Sequence, residues 1–360
     1  MIFVDEYRDR ELVHSLSRQI HAESRRAIAL MEVCGSHTMA IGRFGIRSLL
    51  PDHIRLISGP GCPVCVTEIG YIDHACAIAA EPDVIITTFG DLIRVPGSLS
   101  SLERERARGA DIRVVQSSLD ALHIARDNPD RKVVFLGIGF ETTAPTTAAA
   151  IAQAARDGVS NIFVLSAHKV MKPAMMALVT GGVSLDGYIC PGHVSIVTGA
   201  AMYKEIVAEC GVGCVISGFE PADILLAILM LVRQAERGEH AVEIAYKRAV
   251  TWDGSRPAQR LMDDVFVPRD AVWRGLGTIP ASGLGLATEY NRFDAEGAFT
   301  VDLPVAKEPA GCRCGEVLKG RCEPADCPLF GAPCTPENPV GACMVSSEGT
   351  CAAHYRYHNE

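Results

Sequence analysis

Ala27-Ile28-Ala29-Leu30-Met31-Glu32-Val33 runs straight into Cys34-Gly35-Ser36-His37-Thr38. An apolar run with almost no polar alternation reads as a strand covered on both faces, and the Gly/Ser turn after it opens a helix. The same punctuation recurs along the chain. Runs at 54–58, 83–88, 112–116, 132–137, 161–166, 187–190 and 213–217 read as further strands. Helical patterns lie between them near 39–50, 68–81, 98–109, 119–128, 143–157, 171–180, 199–209 and 221–234. Repeated β-α order predicts an α/β fold built on parallel sheet.

Eight such units can form one sheet, a closed barrel or two smaller sheets. The polar stretch Arg126-Asp127-Asn128-Pro129-Asp130-Arg131 is the best interior linker. It favours two parallel-sheet α/β domains, 1–130 and 131–240, with the barrel as the alternative. After Gly238 a helix is expected near 241–250, then irregular sequence through Gly275, Gly277, Gly283 and Gly285. Residues 241–360 form a third, cysteine-rich unit, and its Pro/Gly-rich tail has too little apolar sequence for a core.

The 360 residues are 48% apolar and 21% charged, with a formal charge of -9, which excludes disorder and leaves no basic surface for nucleic acid. The longest apolar run, 224–232, is far short of the roughly 20 residues that span a bilayer. Met1 to Arg10 carries charges where a signal peptide needs an apolar stretch, so a cytoplasmic location is expected. Seven of the fourteen cysteines fall between Cys312 and Cys351. In a reducing compartment, that density points to metal or redox chemistry rather than disulfides.

The unusual residues sit where strands end. Cys34 and His37 are three apart, so at a helix start they share one face and can share a metal ion, and the helix dipole there favours a thiolate. A capping turn with an incidental histidine is the plainer reading. Cys62-Pro63-Val64-Cys65 lies in a Gly/Pro loop between strand and helix, which suits a redox dithiol better than half of a zinc site. Gly137-Ile138-Gly139 lacks the third glycine of a dinucleotide fingerprint, because Thr142 stands there. Glu141, His193 and Glu220 occupy strand-end loops that can face the crevice beyond the carboxyl ends of parallel strands. Each is individually more often an ordinary hydrogen-bonded residue. In the tail, Cys327, Cys334, Cys343 and Cys351 are spaced by seven, nine and eight. That fits no ferredoxin run or zinc ribbon, and iron-sulfur and zinc both remain open.

Together these segments resemble the HypD family of hydrogenase maturation proteins. The likeness rests on Cys34-Gly35-Ser36-His37-Thr38, on Gly59-Pro60-Gly61-Cys62-Pro63-Val64-Cys65, and on Thr88-Phe89-Gly90-Asp91 through Arg94-Val95-Pro96-Gly97. It continues in Gly139-Phe140-Glu141-Thr142-Thr143, Pro191-Gly192-His193-Val194-Ser195, Ser217-Gly218-Phe219-Glu220-Pro221 and Cys343-Met344-Val345-Ser346-Ser347-Glu348-Gly349.

The resemblance implies a redox-active cytoplasmic scaffold, rather than a turnover enzyme, on which the Fe(CN)2CO unit of [NiFe]-hydrogenase is assembled. It implies a stable complex with HypC, a transient one with HypE, and contact with the hydrogenase large subunit only through HypC. Cys34 would hold the iron with His37 beside it, and Cys62 and Cys65 would be the redox dithiol. The tail would be an iron-sulfur domain, its [4Fe-4S] cluster assigned to Cys327, Cys334, Cys343 and Cys351. The rival functions are an iron-sulfur-dependent thiol-disulfide reductase and a zinc-stabilised interaction module.

Overall fold

The apolar runs do become strands, but their pairing is not sequential. The structure is a computed structural model that describes residues 5–357. The expectation drawn from Met1 to Arg10 therefore lies partly outside the described residues. The strands are β1 (Ile28–Glu32), β2 (Ile54–Ser58), β3 (Val84–Thr88), β4 (Asp111–Val114), β5 (Lys132–Gly139), β6 (Ile162–His168), β7 (Gly187–Pro191), β8 (Gly213–Ser217), β9 (Val242–Ile244), β10 (Phe266–Trp273) and β11 (Gly277–Leu286). One five-stranded sheet has the order β2-β1-β7-β8-β9, a second four-stranded sheet β4-β3-β5-β6, and β10 and β11 form a separate ribbon. Every pairing in the two larger sheets is parallel, as between Ile28 and Ile54 or Val133 and Ile162. Two open sheets replace the barrel alternative.

The boundary near residue 130 is corrected. β3 and β4 precede it, β5 and β6 follow it, and all four share one sheet. The polar stretch is a tight loop inside that sheet, where the Asn161 side-chain amide donates to the carbonyls of Ala125, Asn128 and Arg131 at 2.9 Å each. The first unit is discontinuous: β1 and β2 join β7, β8 and β9, with the second unit inserted between.

The unit 241–360 is also divided. The helix expected near 241–250 is instead the edge strand β9 followed by turns. The glycine-rich stretch read as irregular is the antiparallel ribbon β10–β11, which docks on β6 where the Val170 N–H donates to the Ser282 carbonyl at 2.9 Å. The tail itself carries only short helices, Cys314–Leu318 and Thr350–Tyr357, between turns.

Burial explains the strand propensity. β3, β7 and β8 are buried at every position, so each apolar side chain contributes roughly 1.5–3 kcal/mol by leaving water. The helix Pro221–Arg237 lays Ile224, Leu225, Ile228, Leu231 and Val232 against the first sheet. The tail helix Thr350–Tyr357 packs on the helix Gly35–Arg43, where a Cβ on Gly42 would stand 2.8 Å from the Tyr357 ring. The tail helix thus lies along the helix that follows Cys34.

Candidate functional site

A cleft of about 570 Å3 opens beyond the carboxyl ends of both sheets. It is lined by Cys34 after β1, Gly61 and Pro63 after β2, Gly90 after β3, Thr142 after β5 and His193 after β7. The tail closes one side with Ser346 and Glu348. Five of the loops singled out in the sequence therefore meet at one cleft, as parallel sheets dictate.

Cys34 caps the helix Gly35–Arg43 in extended geometry, φ -147°. Its loop is held by backbone bonds to the neighbouring one: the Gly35 N–H donates to the Gly61 carbonyl at 3.0 Å and the Gly59 N–H to the Glu32 carbonyl at 2.8 Å. A Cβ on Gly61 would run into the backbone of Cys34, so the two loops touch only because residue 61 is glycine. The thiol is not acidified, contrary to the expectation for a helix start. Burial and the Glu348 carboxylate push it up to about 12, outweighing the His37 and Ser36 N–H groups that pull it down.

His37 turns away from the cleft that Cys34 lines. Its Nε2 donates to the Gly218 carbonyl at 2.9 Å, leaving Nδ1 buried without a partner. Burial lowers its pKa to about 4, so the ring is neutral. Phe219 stacks on both His37 and His193, with centroids 4.7 and 4.0 Å apart, so the loop after β8 supports the cleft from behind.

The two strand-end carboxylates serve helix starts. Glu141 Oε1 accepts from the Met171 N–H at 2.9 Å at the head of the helix Met171–Thr180, and burial raises its pKa to about 7. Glu220 forms a capping box with Asp223 and a bidentate ion pair with Arg8. Two carboxylates line the cleft, Asp91 and Glu348, and Glu348 carried no role in the sequence reading. Its Oε1 accepts from the Ser36 hydroxyl at 2.6 Å, and the neighbouring Ser346 hydroxyl donates to Asp91 at 2.7 Å. Its signal was its place between Cys343 and Cys351, in one of the segments that carry the family likeness.

Cys62 caps the short helix Pro63–Val66, and the Cys65 N–H donates to its sulfur at 3.4 Å. Both thiols are buried. Cys65 is also in side-chain contact with Cys343, and burial pushes its thiol up strongly. Cys343 in turn touches Cys314 and Cys351, and Cys314 touches Cys312. Cys334 sits beside Cys312 and Cys314 and accepts from the Val340 N–H at 3.4 Å. Of the four tail cysteines assigned to the cluster above, Cys343 and Cys351 meet, Cys334 is adjacent, and Cys327 lies near Cys322 with its sulfur 3.8 Å from the Gly311 carbonyl. A buried, all-sulfur donor group fits a soft metal centre, either iron-sulfur or zinc. Among the described residues, however, no three His, Cys, Asp or Glu side chains converge in ligating geometry.

Residues 11–358 match the HypD family model, described as "Hydrogenase formation hypA family". The chain belongs to the HypD family. It is similar to the hydrogenase maturation factor HypD of Rhizobium leguminosarum, 48% identical over 99% of this chain and 96% of the relative. To the hydrogenase maturation factor HypD of Escherichia coli it is 46% identical over 100% of this chain and 99% of the relative. The hydrogenase expression/formation protein HupD of Azotobacter chroococcum is 47% identical, covering 99% of this chain and 97% of the relative. A role in hydrogenase maturation follows from this membership. Among the described residues, no helix is long and apolar enough to cross a membrane.

Proposed function

We propose that this HypD-family chain is the cytoplasmic scaffold on which the Fe(CN)2CO unit of [NiFe]-hydrogenase is assembled, with Cys34 as the iron ligand. The observation that carries the reading is Cys34 itself, a protonated thiol at the end of β1, lining a cleft of about 570 Å3. A thiol that gives up its proton to water only near pH 12 gives it up to a soft cation instead, because the metal charge supplies what the surroundings withhold. Glu348 is the carboxylate that acts most strongly on Cys34, and it lines the same cleft. The Ser36 and His37 N–H groups at the helix start point at the Cys34 sulfur and would stabilise it as a thiolate once it held a cation. His37, hydrogen-bonded to Gly218, orients this turn through its stack on Phe219 rather than from the cleft.

HypC is the stable partner in this reading and supplies a further thiolate at the open side of the cleft; HypE joins transiently, and the large subunit is reached through HypC. The tail thiols around Cys314, Cys343 and Cys351 would hold a [4Fe-4S] cluster, which when bound would supply single electrons. Cys65, in contact with Cys343, and Cys62 beside it form the dithiol next to that centre. Burial of both sulfurs favours an internal redox role over the rival thiol-disulfide reductase, whose attacking thiol must reach an external disulfide.

The experiment is vibrational spectroscopy of anaerobically purified chain with the other maturation factors present. Cyanide and carbonyl bands are expected for the native chain and none for Cys34→Ala. Bands of native intensity in Cys34→Ala would refute the assignment.

A further inference from the structure

A second cleft, of about 370 Å3, lies between the end of β6, the start of the helix Ile69–Ala79 and β10. Its floor holds a charge that nothing in the fold satisfies. Lys169 is only 3% exposed, yet among the described residues its ammonium has no hydrogen-bond acceptor or ion-pair partner. Its ammonium lies over the Trp273 ring, 5.6 Å from Nζ to centroid. The backbone at Lys169 is fixed from two sides, its own N–H donating to the Gly139 carbonyl and the next N–H to the Ser282 carbonyl, both at 2.9 Å. The side chain is therefore built into place, and burying an unpaired ammonium costs several kcal/mol.

Glu68 lines the same cleft. It precedes the helix Ile69–Ala79 but makes no capping bond, and Lys169 is the charge it feels most strongly. The two nevertheless form no ion pair. Arg269, the other cation of the cleft, is already engaged, donating to Glu296 at 3.0 Å through both terminal nitrogens. Asp270 accepts the Ala281 N–H at 3.0 Å, which leaves Lys169 and Glu68 as the ammonium and the carboxylate of the cleft without a hydrogen-bond partner among the described residues, with Ala271, Val272 and Leu303 as apolar walls. Trp273 separates this cleft from the Cys34 cleft, its ring stacked on Phe140 at 5.9 Å.

We propose that this cleft binds a small zwitterion of the α-amino-acid class, its carboxylate on Lys169 and its ammonium on Glu68, with an apolar side chain against Val272 and Leu303. The charge pattern requires both ends: a simple anion leaves Glu68 unpaired, and a simple amine leaves Lys169 unpaired. Burial lowers the Lys169 pKa to about 8, so the ammonium form prevails at neutral pH.

The test is calorimetric titration of the full chain with leucine, isovalerate and isoamylamine, the last two each lacking one charged group. Leucine is expected to bind, with each half-ligand and each of Lys169→Met and Glu68→Gln weaker by about tenfold or more, since every tenfold is roughly 1.4 kcal/mol. Leucine is also expected to slow acetylation of Lys169 by acetic anhydride in the native chain, read by mass spectrometry, a measurement that needs no variant to fold. Isovalerate binding as tightly as leucine would overturn the zwitterion assignment. So would unaltered affinity in Lys169→Met, or the absence of both heat and protection at leucine concentrations of about 10 mM.

Discussion

Replacing Gly35 by alanine tests whether the tail is seated on the Cys34 loop. An alanine in the first turn of a helix ordinarily stabilises it by about 0.5–1 kcal/mol relative to glycine. Here the added Cβ would lie 2.5 Å from the Glu348 Cβ and 2.8 Å from the Glu348 carbonyl oxygen. Residue 35 is fixed by its bond to Gly61, so the tail must give way. Overpacking of this kind costs about 1–3 kcal/mol. Moving Glu348 also breaks its hydrogen bond from Ser36, worth about 1.5–3 kcal/mol for a charged acceptor. After the helix gain is deducted, tail docking should weaken by about 1.5–5.5 kcal/mol. Hydrogen exchange of the helix Thr350–Tyr357 reads this directly, because local opening sets its rate. Exchange there should accelerate by at least roughly 10-fold and up to roughly 8,000-fold, at 1.4 kcal/mol per tenfold. Glu348→Ala, which removes the hydrogen bond without the clash, should give a smaller acceleration. Unchanged or slower exchange in Gly35→Ala would refute the seating argument.

Two further outcomes follow from the buried groups. Glu141 has its folded pKa raised to about 7, so the stability it contributes is complete below 4.5 and is lost as pH rises through 7. Glu141→Gln should therefore match the native chain near pH 4 and exceed it by up to about 3 kcal/mol at pH 8; a difference independent of pH in urea unfolding would contradict the burial. In the tail, Cys314→Ser should lower iron and acid-labile sulfide per chain far more than Cys327→Ser, because Cys314 touches Cys312 and Cys343 while Cys327 does not join them. The opposite order would return the ligand set to Cys327, Cys334, Cys343 and Cys351.

Strands covered on both faces were legible because burial leaves no polar alternation, and all eight expected runs lie in the two sheets. β9 escaped notice because three half-buried residues at a sheet edge carry no such pattern. The ribbon was hidden by its glycines: a Cβ on Gly283 would come within 2.7 Å of Ala271, so close packing rather than flexibility explains the composition. The charged loop before Arg131 marked exposure, which a surface loop shares with a linker. At the site, the strand-end rule brought Cys34, Pro63, Thr142 and His193 to one cleft. It could not tell a carboxylate aimed into the crevice from one aimed at a helix start, which is where Glu141 and Glu220 point. Glu348 was out of reach, because a tail packing back over 300 residues leaves no local period to read.

The discontinuous first sheet has a consequence for synthesis. β1 and β2 leave the ribosome early, but β1's other neighbour, β7, begins only at Gly187, some 130 residues after β2 ends at Ser58. At translation rates of about 5–20 residues per second, that apolar pair waits on the order of ten seconds with one edge open. The inserted sheet has time to form during that interval, so the nascent chain is most exposed to aggregation before it carries any complete cleft.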